Sequence, residues 1–351
     1  MISVKGYAAM DSVSPLVPYE FERRELKPHD VLVEILYSGV CHSDLHQARN
    51  EWGGSMYPMV PGHEIVGKVS AIGTHVAKFK VGDTAGVGVM IDSCRECKPC
   101  QRYMEQYCAE GMTGTYNSYE RDGVSVAQGG YSTKIVTDER WVYHVSDKLD
   151  LAGVAPLLCA GITTYSPLRF ANVKAGDKVA VAGLGGLGHM AVKFAVAMGA
   201  EVTMLSTSPS KEKDAKKLGA HHFVLSTDIE AMKKHESHFD VVVDCVSGNH
   251  DYEYLLQLLN VEGKLLVVGL PAEAPEVNPF ELIKNRRSII GSMIGGTVET
   301  QEMLDFCAEK NIVADYELIK MQDINEAYER MLKNDVKYRF VIDMHTLKEH
   351  Q

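Results

Sequence analysis

The feature that most constrains this chain is G-L-G-G-L-G at 183–188, directly behind the apolar run KVAVA (178–182) and ahead of the amphipathic stretch GHMAVKFAVAMG (188–199). A strand-to-helix turn of this kind uses each glycine differently. Gly183 permits the tight turn, Gly185 lets a pyrophosphate approach the backbone, and Gly188 allows close helix–strand packing at a helix N-terminus that favours anions. Alone the pattern also fits a purely structural turn, so its surroundings matter. Five more apolar runs come after it: EVTMLS (201–206), HFVLS (222–226), FDVVVDC (239–245), KLLVVG (264–269) and SIIGS (288–292). Helical stretches are expected over 209–218, 251–260 and near 279–286. Six short apolar runs mostly separated by helical segments read as an α/β fold with a doubly wound parallel sheet.

The rest of the chain has another rhythm. VLVEILYSGV (31–40), EIVGKVSAIG (64–73), KFKVGDTAGVGVM (78–90) and YSTKIVTDERWVYHV (131–145) are β-branched runs broken by turns, and helical periodicity is scarce before residue 150. After Gly296, a helix over 299–310, a strand YELIK, a helix over 323–333 and a strand RFVIDM exceed the six-strand count. The tail is therefore expected to return to the first domain. Two domains agree with 351 residues at roughly 150 per domain.

Composition excludes several classes. A formal net charge of −11 argues against a general nucleic-acid binder. The most apolar stretch, Val179 to Val202, is interrupted by glycines, His189 and Lys193, which argues against a membrane span. The N-terminal MISVKGYAAMDS has no apolar signal core. Repeats and low-complexity tracts are not evident. Of eight cysteines, four crowd into fifteen residues, which points to metal in a reducing cytoplasm rather than to disulfides.

Cys94-x2-Cys97-x2-Cys100-x7-Cys108 suits one tetrahedral zinc with no position left open, a structural site. A ferredoxin-type cluster would place three residues, not seven, before the last cysteine and a proline after it. Cys41 in GVCHSDLH, His63 in VPGHEIVG and Cys159 in PLLCAGITTYSPL would suit a second zinc with one position open. Taken singly, each is equally compatible with a buried thiol or a satisfied histidine. A further feature is an absence. The second strand ends at Ser206, followed by Thr207 and Lys211, where NAD-binding sheets carry an acid for the ribose. Hydroxyls and an ammonium welcome a 2′-phosphate, so NADP(H) is the expected cofactor.

Together GVCHSDLH, NEWGGSMYPMVPGHEIVG, the four-cysteine lobe, GGYS, PLLCAGITTYSPL, AGLGGLGHMAVKFA, STSPSK and DVKYRFVID make the chain resemble a zinc-dependent medium-chain alcohol dehydrogenase of the cinnamyl alcohol dehydrogenase group. The resemblance implies a GroES-like, β-rich catalytic domain from residues 1–153 and 297–351 around a Rossmann domain at 154–296. It implies two zinc ions per chain: a catalytic one on Cys41, His63 and Cys159, and a structural one on Cys94, Cys97, Cys100 and Cys108. Glu64 matches a carboxylate near the catalytic metal, and Ser43 and His46 match a proton relay. Ser206, Thr207 and Lys211 match 2′-phosphate positions. Gly183, Gly185, Gly186, Leu187 and Gly188 form the glycine turn. Thr163, Val268, Ser292, Met293 and Ile294 match positions bordering the cofactor.

The activity implied is interconversion of primary alcohols and aldehydes, chiefly as a broad-range aldehyde reductase, in a cytoplasmic homodimer with no nucleic-acid or membrane partner. Trp52, Met90, Met112 and Met293 are candidate pocket residues. Thr113 and Gly114 lie where plant relatives place a tryptophan, which argues against a strict preference for bulky phenylpropenyl aldehydes. Competing expectations are a polyol-type zinc dehydrogenase using NAD and a catalytically silent dinucleotide-binding redox sensor. Cys245, Cys307 and the His221–His222 pair receive no functional assignment.

Overall fold

The computed structural model describes residues 1–347; the expected C-terminal segment runs on to 351, and residues 348–351 lie outside the described ones. The chain divides into two compact units, Met1–Ile162 with Gly295 onward, and Thr163–Ile294.

In the second unit, six strands form one parallel sheet in the order His222–Leu225, Glu201–Ser206, Lys178–Ala182, Phe239–Asp244, Leu259–Val267, Ser288–Gly291. This is the Rossmann order. Val179, Val181, Val202, Met204, Val241 and Val243 are buried, as strands covered on both faces require. The register sets Ala182 beside Leu205 on one side and Asp244 on the other. The glycine turn, Ser206 and Asp244 therefore emerge along one edge, at the carboxyl ends where such sheets bind ligands.

Helix limits differ from expectation where strand pairing takes over the backbone. The helix expected over 251–260 spans Tyr252–Gln257, because Leu259 already pairs with Phe239 and starts a strand. Leu255, Leu256, Leu258 and Leu259 are all buried, so the apolar pattern runs on unbroken where the backbone changes state. The 209–218 segment is a tight turn, Pro209–Lys211, running into the helix Glu212–Lys217. The helix near 279–286 closes at Ile283, and a further short helix, Ile229–Lys233, is present.

The first unit is built on a seven-stranded sheet. Tyr316–Lys320 pairs in parallel with Arg339–Asp343. The remaining pairs are antiparallel: Arg339–Asp343 with Asp30–Val40, then Ile65–Ile72, Thr84–Val87 and Val142–His144, while Lys134–Asp138 also pairs with Asp30–Val40. The tail strands thus lie in the same sheet as the N-terminal strands. Val31, Val33, Ile35, Ile65, Val69, Ile135, Phe340 and Ile342 build the core of this unit. Among the described residues no single helix is long and apolar enough to cross a membrane. The apolar segments Leu151–Leu158 and Ala160–Phe170 form a pair bent by 58°, and most of their residues are buried.

Candidate active site

Strand register assembles the site. Antiparallel pairing of Ser38 with Ile65 sets the end of one strand beside the start of the next, so Cys41 and His63-Glu64 emerge together. Pairing of Phe340 with Val40 brings Arg339 to the same corner. Cys159 arrives at the end of a short turn, Ala155–Leu158. The ligand atoms of Cys41, His63, Glu64 and Cys159 all lie within 4.8 Å of one another, and the two Sγ atoms are 4.0 Å apart.

Asp44 organises this corner. It sits in the first turn of the helix His42–Ala48 and is fully buried. Its Oδ1 lies 3.0 Å from His63 Nδ1 and accepts the Gly62 N–H at 3.1 Å. Its Oδ2 accepts the Cys41 N–H at 2.9 Å and the Tyr131 hydroxyl at 3.1 Å. With Nδ1 donating to a carboxylate, His63 has Nε2 available to a metal, an arrangement that raises the basicity of a ligating imidazole. Tyr116 stacks on the His63 ring, with centroids 5.8 Å apart.

Glu64 is buried behind the ligands. Its Oε1 is held by Arg339, which also donates to the Val40 carbonyl at 2.9 Å, while its Oε2 has no protein partner. A Cβ at Gly39 would fall 1.9 Å from that oxygen, so only glycine leaves the carboxylate its place. Burial pushes the Glu64 carboxyl up to about 8, with Arg339 drawing it the other way. The Cys159 contact, assisted by His63 and Arg339, holds the Cys41 thiol well below its usual value. Burial opposes charge on His63, but Asp44 and Cys41 outweigh it and raise its pKa. Two thiols, an imidazole aimed by a carboxylate and an orphaned carboxylate oxygen fit a zinc ion by donor chemistry.

The relay candidates share the helix His42–Ala48. Ser43 Oγ lies 3.6 Å from Cys41 Sγ. His46, three residues on and therefore on the same face, hydrogen-bonds Glu51 through Nδ1 and packs 5.1 Å from the Trp52 ring. Of the pocket candidates in this unit, Met90 is buried, Met112 half-buried and Trp52 half-exposed.

The four-cysteine loop closes on itself. Cys97 and Cys100 sulfurs are 3.4 Å apart, and those of Cys94 and Cys100 3.9 Å. Backbone N–H groups point at three of the sulfurs: Cys97 to Cys94, Cys94 to Cys108, and Ala109 to Cys97. Such donors stabilise thiolates, and four sulfurs within 4.8 Å of one another fit the closed structural zinc site expected from the spacing.

In the other unit, Gly183 takes φ +88° and a Cβ at Gly188 would collide with the Gly183 carbonyl at 1.8 Å, whereas nothing lies within 4 Å of one at Gly185. The middle glycine thus opens onto free space, the cradle a pyrophosphate needs. Gly186 and Leu187 complete the turn, Leu187 being the N-cap of the helix Gly188–Ala197. Ser206 is buried at its strand end, its Oγ accepting the Ser208 N–H at 3.2 Å, and Thr207 is exposed. Lys211 folds back, donating to the Leu184 carbonyl at 2.8 Å, so its half-buried ammonium stands beside the glycine turn; burial lowers its pKa. These groups fit a nucleotide carrying a 2′-phosphate. Thr163 is buried in the helix Ala160–Phe170, and Val268 comes just after a strand end. Ser292, exposed Met293 and buried Ile294 close the unit. Sequence reasoning missed Asp44, Tyr116 and Arg339 as partners of the ligand cluster.

Comparison with known proteins identifies the family. Residues 27–147 match the alcohol dehydrogenase GroES-like domain and 186–309 the zinc-binding dehydrogenase domain. The chain is 52% identical to NADP-dependent alcohol dehydrogenase C 1 of Mycolicibacterium smegmatis, over 99% of this chain and all of that one. It is likewise 52% identical to the aldehyde reductase YahK of Escherichia coli, over 99% of this chain and 100% of that one. It is 51% identical to a probable mannitol dehydrogenase of Fragaria ananassa, over 98% and 96% of the two chains. The structure of a cinnamyl alcohol dehydrogenase from Sorghum bicolor superposes with a TM-score of 0.94 at 43% identity, covering 99% of both chains. That of the Helicobacter pylori enzyme complexed with NADP(H) gives 0.91 at 44%, covering 98% and 99%. The chain belongs to the zinc-dependent medium-chain alcohol dehydrogenases, in their cinnamyl alcohol dehydrogenase group.

Proposed function

We propose that this enzyme works mainly as an NADPH-dependent aldehyde reductase of broad range, converting aldehydes to primary alcohols near neutral pH. The observation that carries the reading is the convergence of Cys41, His63 and Cys159, with the His63 ring aimed by Asp44. When bound, zinc supplies Lewis-acid polarisation of a carbonyl and the dinucleotide supplies hydride. We assign Cys41, His63 and Cys159 to the catalytic zinc and Cys94, Cys97, Cys100 and Cys108 to a structural one. Glu64, restrained by Arg339, is the carboxylate in reserve behind the ligands. Ser43 and His46 carry a proton from solvent along one helix face, and Glu51 holds the His46 ring in place. Gly183, Gly185, Gly186, Leu187 and Gly188 receive the pyrophosphate. Ser206, Thr207 and Lys211 receive the 2′-phosphate, while Thr163, Val268, Ser292, Met293 and Ile294 border the cofactor.

The cytoplasmic assignment is supported by the two thiol clusters, which bind metal only while reduced. The homodimer assignment is supported by the strand Ser288–Gly291, which among the described residues has a sheet neighbour on one side only and lies in a segment with Leu270, Phe280 and Ile283 exposed. Absorbance at 340 nm tests the function, with benzaldehyde and NADPH or NADH in parallel and mannitol with NADP⁺ as the polyol arm. Turnover of benzaldehyde with NADPH is expected. Absence of turnover would favour a silent sensor, and mannitol as the better substrate a polyol enzyme.

A further inference from the structure

Between Cys100 and Cys108 lies Glu105, a buried carboxylate with no place in the metal cluster. Its Oε1 accepts the Thr297 hydroxyl at 2.8 Å and its Oε2 the Thr297 N–H at 3.0 Å. Thr297 opens the fourteen-residue helix Thr297–Lys310, whose N-cap is Gly296 and which has no side-chain cap of its own. A carboxylate at a helix N-terminus satisfies an orphan donor and meets the positive end of the dipole. Here it comes from 192 residues away in sequence. The fit is close: a Cβ at Gly296 would meet the Tyr103 carbonyl at 1.7 Å, so the loop bearing the cysteines presses directly on the backbone at 296–297.

The segment just before the cap is restrained as well. The Ser292 N–H is bonded to the Val267 carbonyl at 3.2 Å, and residues 293–296 are the short covalent span between that bond and the capped helix start. Within it Ile294 adopts φ +40°, the left-handed region that β-branched residues avoid. Such strain persists only where the surroundings over-determine it.

We propose that Glu105 is a positioning residue for the cofactor. By capping the helix from inside the four-cysteine loop it fixes the downstream end of the span, holds Ile294 in its strained conformation and presents Ser292–Ile294 in one geometry. This rests on the assignment of Ser292–Ile294 to the cofactor made above.

The test uses the zinc-loaded enzyme and the variants Glu105→Ala and Thr297→Val, the second removing only the hydroxyl bond. Hydrogen exchange of the amides at 297–300, measured without nucleotide, reads the cap. NADPH affinity by fluorescence and steady-state kinetics read the consequence. In Glu105→Ala, which leaves the Thr297 N–H without its acceptor, the amides should exchange about 2- to 30-fold faster, the range for a lost N-terminal cap. NADPH should bind several-fold more weakly, while kcat at saturating NADPH and the aldehyde KM stay within about twofold of wild type, a split that general destabilisation would not give. Thr297→Val should shift both readouts the same way by less. Unchanged exchange overturns the cap, and faster exchange with unchanged NADPH affinity overturns the positioning role. A wild-type enzyme that does not bind NADPH overturns the cofactor assignment itself, and this inference with it.

Discussion

Replacing Asp44 by Asn keeps the shape of the side chain and removes its charge, which leaves four donors facing a group with a single acceptor atom. Oδ1 faces two of them, His63 Nδ1 and the Gly62 N–H, and Oδ2 faces two more, the Cys41 N–H and the Tyr131 hydroxyl. The amide should keep its one oxygen toward His63 and Gly62, because Tyr131 can rotate its hydroxyl to accept from the new NH2. The Cys41 N–H then has no acceptor, and a stranded buried donor costs about 1–3 kcal/mol. The bond to His63 falls from charge-assisted to neutral, a further loss of about 1 kcal/mol. Stability should therefore drop by about 2–4 kcal/mol. Because both Cys41 and His63 lose their support, retention of the catalytic zinc should fall about 10–100-fold, as for other lost ligand partners. Dialysis against graded chelator, followed by elemental analysis and thermal unfolding, measures both quantities. The reasoning is refuted if Asp44→Asn keeps its full zinc and melts like wild type.

Purified wild type should hold two zinc ions per chain, with Cys97→Ser lost mainly to misfolding and Cys41→Ser folded but inactive; elemental analysis giving one zinc, or iron, contradicts this. Lys211→Ala should weaken NADPH binding about tenfold or more while leaving NADH within a few-fold, and Ser206→Asp should act in the same direction by repelling the 2′-phosphate. Titration of both nucleotides decides it, and a wild type using NADH as well as NADPH would undo the reading of this strand end. Cinnamaldehyde and benzaldehyde should turn over with comparable kcat/KM, since apolar contacts discriminate by only about 1–3 kcal/mol per methylene and methionines repack. One aldehyde exceeding all others by orders of magnitude would rule out a permissive pocket.

What could be read from the sequence was what local chemistry announces. All six apolar runs of the parallel sheet are strands, because burial on both faces leaves continuous β-branched stretches. The helical segments at 151–170 were harder to see. Nearly every residue from Ala152 to Leu168 is buried, so no polar face marks a period, and Pro156 and Pro167 obscure the pattern further. The helix Ile229–Lys233 is too short for periodicity to register. Within the site, the cysteine spacing named its own cluster. The Arg339–Glu64 pair could not be read, since its partners are 275 residues apart and meet only through strand register. Asp44 left a trace, an acid three residues after Cys41, but that pattern signals a helix start as readily as a metal-site support.

Gly39 and Glu64 are joined across the sheet by the Gly39 N–H donating to the Glu64 carbonyl at 2.8 Å, which ties the two ligand-bearing strand ends into a single ladder. An inserted residue in either strand would turn its ligand to the opposite face. The segment that runs between Ala48 and Met59 is held by single bonds instead, the Met56 N–H to Asn117 and the Tyr57 hydroxyl to the Ala48 carbonyl, both at 2.8 Å. It carries Trp52, followed by Gly53 and Gly54, which have open space around them but adopt φ +76° and +73°, a backbone that glycine suits best. Its length can change at small entropic cost. Substitutions at Trp52 should accordingly leave the metal corner intact, provided that Glu51 is kept for His46.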